Sequence, residues 1–177
     1  MHMYWLYGII VALIVLGVFY ISIYNALIHL RQKVQEAWSG IEVQLKRRHD
    51  LIPALLDVVK AYANHERLLL EKVATERTQL AAGTSQTFGD RAQSEAALGE
   101  HLKSVIAVAE AYPDLKANQN FLNLQQQLSE TEDQISAARR IYNANVSLFN
   151  TKIQSFPASL VAGLQRIVTC EFFGTEL

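Results

Sequence analysis

The segment from Tyr4 to Tyr24 is an unbroken apolar run without a charged side chain, and it constrains the fold more than any other feature. At about 1.5 Å per helical residue it would extend roughly 30 Å, the thickness of the hydrocarbon core of a bilayer. It therefore predicts a transmembrane helix at residues 4–24. Residues 1–3 would form a short external N-terminus, and residues 25–177 a separate helical domain.

Aromatic side chains cluster at both ends of the run, where they would lie at the two membrane interfaces. The residues concerned are Tyr4, Trp5, Tyr7, Phe19, Tyr20 and Tyr24. Gly8 and Ala12 are four positions apart, and small residues at this spacing allow two spanning helices to approach closely. The lipid bilayer is thus the first expected partner, and Gly8 and Ala12 form the expected packing face between two spans.

A cleaved signal peptide is the alternative to a retained anchor. A signal peptide carries basic residues before a shorter apolar stretch, whereas no Lys or Arg precedes Tyr4. Arg31 and Lys33 follow the run closely, and basic residues near a span stay on the cytoplasmic side. We therefore predict a single-pass membrane protein with its N-terminus outside and its C-terminal domain in the cytoplasm.

Beyond the span the apolar residues repeat every seven positions, which is typical of a long amphipathic helix. The two series are Val34, Ile41, Arg48, Leu55, Tyr62, Leu69 and Trp38, Leu45, Ile52, Val59, Glu66, Val73. Their phase does not change at Pro53, which favours one kinked helix from the span to about Ala82. The alternative is a helix break with Asp50 as N-cap and Pro53 in the first turn.

Three further helices are predicted downstream. Gly83 ends the first helix and begins a loop that extends to Gly89. Asp90 caps the second helix, and Pro113 ends it. A third helix begins between Asp114 and Asn118, and a short last helix begins at 155–157. The fold class is therefore all-α: an N-terminal transmembrane helix that continues into an elongated antiparallel bundle of three long helices plus a short C-terminal helix. Because the first helix is the longest, we expect part of its stripe to lack an intramolecular partner and to favour self-association.

Four charged residues lie on or beside the predicted core faces. Arg48 and Glu66 belong to the first helix, and Glu132 and Arg139 to the third. Charges on a core face require partners, so we predict an ion-pair cluster between helices among these four. Such a cluster fixes the register of a bundle, while the alternative use of the same residues is an acid–base site.

The composition excludes several classes of function. The net charge is −1 with both signs interspersed, so no global field favours nucleic acid. Cys170 is the single cysteine, which rules out a disulfide framework and a multi-thiolate metal site. His65-Glu66 begins like a zinc-protease helix, but Leu69 stands where the second histidine is required. We therefore predict no enzyme activity, no metal, no cofactor and no small-molecule substrate.

Several segments resemble the LemA family of bacterial membrane proteins. They are Glu36-Ala37-Trp38-Ser39, Ile41 to Pro53, Val59 to Glu66, Ala111 to Asn118, Ala138 to Asn143 and Phe156-Pro157. The resemblance implies a bacterial cytoplasmic membrane protein with a short outer N-terminus and an inward-facing helical bundle. It also implies a possible membrane partner, since family members are often encoded near membrane proteases or phosphatase-like domains. Ala54 departs from the asparagine usual in the family.

Two functional hypotheses follow. The first is a non-enzymatic scaffold that forms homo-oligomers at the cytoplasmic face and organises or shapes the bilayer. The second is an adaptor that docks its bundle onto another membrane protein, such as a protease or a signalling component. The exposed stripe and the Gly8/Ala12 spacing favour the first.

Overall fold

The computed structural model describes residues 2–83 and 87–174. Helix accounts for 88% of the chain and the described part contains no strand, which confirms the all-α class. The helices are α1 His2–Tyr62, α2 Arg67–Ala81, α3 Phe88–Val108, α4 Pro113–Lys116, α5 Gln119–Gln154 and α6 Ala158–Leu164, with 3-10 turns at Asn64–Glu66 and Ala109–Ala111. Met1 of the predicted external N-terminus, residues 84–86 of the predicted loop and residues 175–177 lie outside the described residues.

Helix α1 continues through Pro53 without a break, so the continuous alternative is correct at this position. The helix nevertheless ends at Tyr62, and the prediction that it reaches Ala82 is wrong. Ala63 leaves the helical conformation with φ −120° and ψ 60°. Arg77 Nε of α2 then donates to the His49 carbonyl of α1 at 3.2 Å, which shows that α2 folds back antiparallel to α1.

Helix α3 begins one turn earlier than its predicted cap. Thr87 is the N-cap, its side chain accepts from the Asp90 backbone N–H, and the Asp90 carboxylate accepts from the Thr87 N–H. Asp90 is therefore the third residue of a capping box and not the cap itself. Gly83 ends α2 with a φ of +61°, the left-handed conformation that glycine adopts without steric cost.

Helix α5 begins at the predicted place because the Asn118 side chain accepts from the backbone N–H groups of Asn120 and Phe121. It is antiparallel to α1, since the Asn118 amide donates to the Tyr62 hydroxyl at one end of the pair. Glu132 pairs with Arg48 further along. The predicted short last helix is α6.

The chain divides into two compact units. One unit comprises Trp38–Tyr142 with the tail that begins at Glu171. Its core joins residues of α1, α2, α3, α4 and α5. The buried residues of this core cluster are Ile52, Leu55, Val59, Ala63, Leu70, Val73, Leu98, Leu102, Val105, Ala109, Leu115, Phe121 and Leu128. Ile41, Leu45, Ala92, Ile135, Tyr142 and Phe173 of the same unit are buried as well.

The other unit comprises Met1–Ala37 and Asn143–Cys170. Its buried apolar residues are Leu27 and Val34 of α1, Val146, Phe149 and Ile153 of α5, and Ala158, Val161 and Ala162 of α6. Asn145 of α5 donates to the Lys33 carbonyl, which shows that α1 and α5 run antiparallel here as well. Asn150 and Cys170 exchange two hydrogen bonds of 2.9 Å each.

The apolar start of α1 is long and apolar enough to cross a membrane, and none of its most apolar stretch is buried in the protein. Tyr4 and Trp5 are each 78% exposed, whereas Tyr20 and Tyr24 are partly buried. A helix of this composition that no other part of the described chain covers differs from the core helix of a soluble protein, which is hydrophobic all round because it is enclosed.

The seven-residue stripe downstream of the span is covered within the chain. Ile41, Leu45, Ile52, Leu55 and Val59 are all at most 2% exposed. The expectation that part of this stripe lacks an intramolecular partner is therefore wrong. The reason is that α2 folds back on α1, which supplies apolar surface that a straight helix would not.

Candidate functional site

The most polar part of the core is a charged cluster that α1, α3 and α5 build together. Arg48 of α1 is buried, and its guanidinium Nη2 donates both to the Glu95 carboxylate and, at 2.9 Å, to the Glu95 carbonyl. Its Nη1 donates to Glu132 Oε1 of α5 at 2.9 Å. One guanidinium therefore links three helices, and the fork geometry of arginine makes that possible.

Glu95 is the acidic centre of the cluster, and its side chain is 3% exposed. His49 Nε2 lies 3.1 Å from Glu95 Oε2, so two neighbouring residues of α1 contact the same carboxylate. Burial raises the pKa of Glu95, but the hydrogen bond with His49 and the charge of Arg48 lower it more, and the pKa lies below its ordinary value of 4.5. The carboxylate is therefore ionised at neutral pH and cannot serve as a proton donor there.

The surroundings of the cluster are tight. A Cβ placed on Gly99 of α3 would lie 3.3 Å from Arg48 Nη1 and 3.8 Å from Glu132 Oε2. Because glycine has no side chain, the Arg48 guanidinium can lie close to the backbone of α3. A cleft of about 200 Å³ borders the cluster and is also lined by Lys103 and Arg139. Arg48 Nε and Glu95 Oε1 are buried without a hydrogen-bond partner among the described residues.

The structure brings together two of the four residues expected to form the ion-pair cluster. Arg48 contacts Glu132. Glu66 lies in the 3-10 turn at Asn64–Glu66, and among the described residues no ion pair joins it to the other three. Arg139 lines the cleft that borders the charged cluster. Its Nη1 atom lies 3.2 Å from the position that a Cβ on Gly174 would occupy.

Glu95 was not among the predicted site residues, although its spacing in the sequence places it on the core face of α3. Glu95 lies three residues before Leu98 and seven before Leu102, which are buried apolar residues of α3. A position at this spacing shares the core face of the helix. Because Glu95 is charged, the apolar pattern alone does not assign it to the core face. Its contacts with Arg48 and His49 explain why it is buried there.

A second cluster, of aromatic rings, closes one end of the same unit. Trp38 of α1 contacts Phe88 of α3 at 4.8 Å between ring centroids and Phe173 of the tail at 5.1 Å. Tyr142 of α5 contacts Trp38 at 5.7 Å, and its hydroxyl donates to the Glu171 carbonyl. The tail is thereby fixed to the helices, and Phe173 is only 1% exposed.

The chemistry that these residues support is limited. Burial raises the pKa of the Cys170 thiol above its ordinary value of 9.0, with a smaller opposing effect of Arg31, so the reactive thiolate is disfavoured. Within residues 2–83 and 87–174, no group of three His, Cys, Asp or Glu side chains is placed to hold a metal ion. What the geometry achieves is a connection of α1, α3 and α5 through one buried arginine.

These features define an all-helical protein that carries a membrane-capable N-terminal helix and a charged connection in its core. The sequence profile of the LemA family matches residues 37–176, and the chain belongs to the LemA family. It is 31% identical over 157 residues to Protein LemA of Metamycoplasma hominis, an alignment covering 85% of this chain and 69% of that protein.

Two more distant relatives are magnetosome proteins. The chain is 24% identical over 174 residues to Magnetosome protein MamQ 2 of Paramagnetospirillum magneticum, and 22% identical to Magnetosome protein MamQ of Magnetospirillum gryphiswaldense. Both alignments cover 85% of this chain, which spans only 64% of the length of either magnetosome protein. The family and these relatives together indicate a membrane-associated protein.

Proposed function

We propose that this protein is a membrane-anchored, non-enzymatic scaffold that self-associates through its spanning helix. The observation that carries the proposal is the apolar start of α1, which the rest of the described chain leaves uncovered although it is followed directly by a packed helical body. An apolar helix of this length is stable in lipid, where its backbone groups are satisfied within the helix.

The face that carries Gly8 and Ala12 is the proposed contact between two copies. A Cβ at Gly8 would meet nothing within 4 Å, so this side of the helix is open in the single chain. In lipid, helices associate through close backbone approach at small residues. The apolar stripe farther along α1 is buried within the chain, whereas the most apolar stretch of the span is uncovered.

The orientation follows from charge. Arg31 and Lys33 lie within ten residues of Tyr24. Basic residues close to a span remain in the cytoplasm, so the helical body is proposed to face the cytoplasm of a bacterial inner membrane. From that side, neighbouring copies would organise or shape the bilayer that holds their spans.

The absence of catalysis is part of the proposal and rests on how the charged cluster is bonded. Arg48 is engaged with two carboxylates and one carbonyl, and His49 contacts the same Glu95 carboxylate. A group that acts in catalysis must reach a substrate, whereas Arg48 and Glu95 are each 3% exposed in their side chains. The cluster is thus proposed to fix helix register.

Self-association is tested by counting subunits of the full chain in proteoliposomes with single-molecule photobleaching. We expect more than one copy per complex for the wild type. The double change Gly8→Ile with Ala12→Ile should shift the distribution toward single copies, because the added side chains keep the backbones apart. Ile10→Leu, on the opposite side of the helix, is the control and should leave it unchanged. A wild type that is monomeric at every protein-to-lipid ratio would refute the scaffold.

Orientation is tested with a cysteine at Ala144, which is exposed on α5, in a Cys170→Ser background. A membrane-impermeant maleimide should label it in permeabilised cells only. Labelling in intact cells to the same extent would place the body outside and contradict the proposal.

An adaptor is the second candidate, and exposed apolar side chains away from the span favour it. Leu68 of α2 is 84% exposed, Val43 of α1 63% and Ile141 of α5 60%. Single exposed apolar residues are common, so the contrast with the scaffold requires a direct test. Crosslinking in native membranes with mass spectrometry should recover mainly this chain for a scaffold, and another membrane protein in comparable amount for an adaptor.

A further inference from the structure

Helix α6 carries apolar side chains on both of its faces. Ala158, Val161 and Ala162 are buried within the unit that contains α6. A second set repeats every four residues and is exposed to an extent unusual for such side chains: Phe156 81%, Leu160 61%, Leu164 75% and Val168 77%. Within the described chain this outward set has no apolar cover, although it extends over the whole length of α6 and both of its flanks.

The position of α6 is fixed relative to the apolar start of α1. Gln165, which follows the last residue of α6, donates from Nε2 to the Tyr20 hydroxyl at 2.8 Å. Tyr20 lies four residues, or about 6 Å, before Tyr24, the expected end of the span. Farther from the span, Asn145 of α5 contacts the Lys33 carbonyl. The end of α6 at Gln165 therefore lies level with the end of the span.

The charges of this unit are unbalanced outside the span. Its ionisable Lys, Arg, Asp and Glu residues there are Arg31, Lys33, Lys152 and Arg166 against Glu36 alone, and all five are exposed. The whole chain, by contrast, has a net charge of −1. Basic residues beside a span attract the anionic headgroups of the membrane surface.

Arg166 adds a separate observation. Its φ is +53°, the left-handed conformation that follows a helix C-terminus, and Ile167 N–H bonds to the Ala162 carbonyl while Arg166 N–H bonds to the Gly163 carbonyl. This is a Schellman motif, in which glycine is the favoured residue. Arg166 adopts a left-handed backbone conformation that is strained for any residue other than glycine. It places a basic, exposed side chain at the end of α6 nearest Tyr20.

We propose that the segment from Phe156 to Val168 is a second membrane-binding element, which lies in the headgroup–acyl boundary of the same bilayer that holds the span. Interfacial helices bury their apolar face about 5–10 Å below the headgroups, and the 6 Å between Tyr20 and Tyr24 falls within that range. The inference rests on the anchor proposed above but does not depend on which side of the membrane the body occupies.

The test is depth-dependent fluorescence quenching on the full chain in proteoliposomes. A bimane label at Leu164→Cys in a Cys170→Ser background is compared with the same label at Ala144→Cys, an exposed position next to Asn145 in the same unit. Lipids with a nitroxide near the headgroup should quench the label at position 164 at least about twofold more than the label at 144, because an interfacial segment lies within reach of that nitroxide.

Equal quenching at the two positions would overturn the proposal. It would also be overturned if the label at 164 were shielded from water yet unquenched by lipid, since protein and not lipid would then cover it. Alkaline carbonate extraction, done first, separates this failure from failure of the anchor. A chain that leaves the vesicles refutes the span, while a chain that stays with equal quenching refutes only the role of α6.

A variant provides an independent check. Leu160→Gln with Leu164→Gln removes apolar surface from side chains that are already exposed, so folding should be unaffected. With the label moved to Val168→Cys, this double variant should show less lipid quenching than the unaltered segment. Unchanged quenching would contradict the role of the outward set.

Discussion

Arg48 and Glu95 form an ion pair across 47 positions of sequence, and the side chain of each is 3% exposed. Such a pair is costly to desolvate, and its partners offset that cost only while they are all present. Removal of one member would leave an uncompensated charge in the core.

Arg48→Ala should lower the free energy of unfolding by about 3–5 kcal/mol, because Glu95 would stay buried without its main cation. Arg47→Ala, one position earlier and exposed, is the matched control and should change it by less than about 0.5 kcal/mol. Urea unfolding of the detergent-solubilised full chain followed by circular dichroism measures both. Similar values for the two variants would show that the buried pair contributes nothing particular.

Glu95→Gln should flatten the dependence of stability on pH. The folded pKa of Glu95 lies below its ordinary value of 4.5, so ionised Glu95 contributes stability above that value. This contribution is lost as the pH falls through the folded pKa. As the pH falls from neutral to below 4.5, the wild type should therefore lose more stability than Glu95→Gln. Parallel curves for the two proteins would contradict the lowered pKa.

Gly99→Ala should be less stable than Gly40→Ala by about 1 kcal/mol, although both replace a helical glycine. A Cβ at Gly40 meets nothing within 4 Å, so that variant should gain about 0.5–1 kcal/mol from helix propensity. A Cβ at Gly99 approaches Arg48 Nη1 to 3.3 Å, and bonds to two carboxylates hold that guanidinium in place. Thermal unfolding in detergent compares them, and an equal gain would mean that Arg48 moves freely.

Phe173→Ala should destabilise the unit that contains it by about 3–5 kcal/mol, since the ring is 1% exposed and removing it leaves a cavity. Phe172→Ala is the natural control, because Phe172 is 44% exposed and precedes it directly. Near-ultraviolet circular dichroism should also weaken in Phe173→Ala, where the ring beside Trp38 is lost. If Phe172→Ala had the larger effect, the assignment of the tail contact would be wrong.

The sequence predicted core positions and helix continuity correctly where the apolar residues repeat regularly. The seven-residue series predicted the core positions Ile41, Leu45, Ile52 and Leu55 correctly, since a helix buried on one side must repeat its apolar residues. The unbroken phase also predicted passage through Pro53. The third long helix was predicted to begin between Asp114 and Asn118, and the structure shows that the Asn118 side chain caps it by accepting from free backbone N–H groups.

The turn at Ala63 could not be read in the same way. Neither Gly nor Pro stands between Tyr62 and Arg67, and the apolar phase continues from α1 into α2. The same pattern is satisfied by a straight helix and by two helices that fold back, because each half buries the same face. Tertiary contacts decide between them: Ala63 is fully buried, and Arg77 of α2 reaches the His49 carbonyl.

Part of the candidate site was predicted from the sequence. Arg48 and Glu132 were identified because charged residues on a core face require partners. Glu95 and His49 could not be assigned as their neighbours, since that depends on α3 running beside α1, which no local pattern specifies. The four-residue set with Glu66 and Arg139 stays a prediction beyond the one contact that the structure shows.

The insertion of Phe173 beside Trp38 has a consequence for biosynthesis. The two rings are separated by 135 residues, so every helix of the described chain is synthesised before the second ring leaves the ribosome. Until then Trp38 and Phe88 lack one wall of their pocket. Maturation of this body is therefore completed after translation of α6, and a nascent chain stalled before Phe173 would present an open aromatic surface to chaperones.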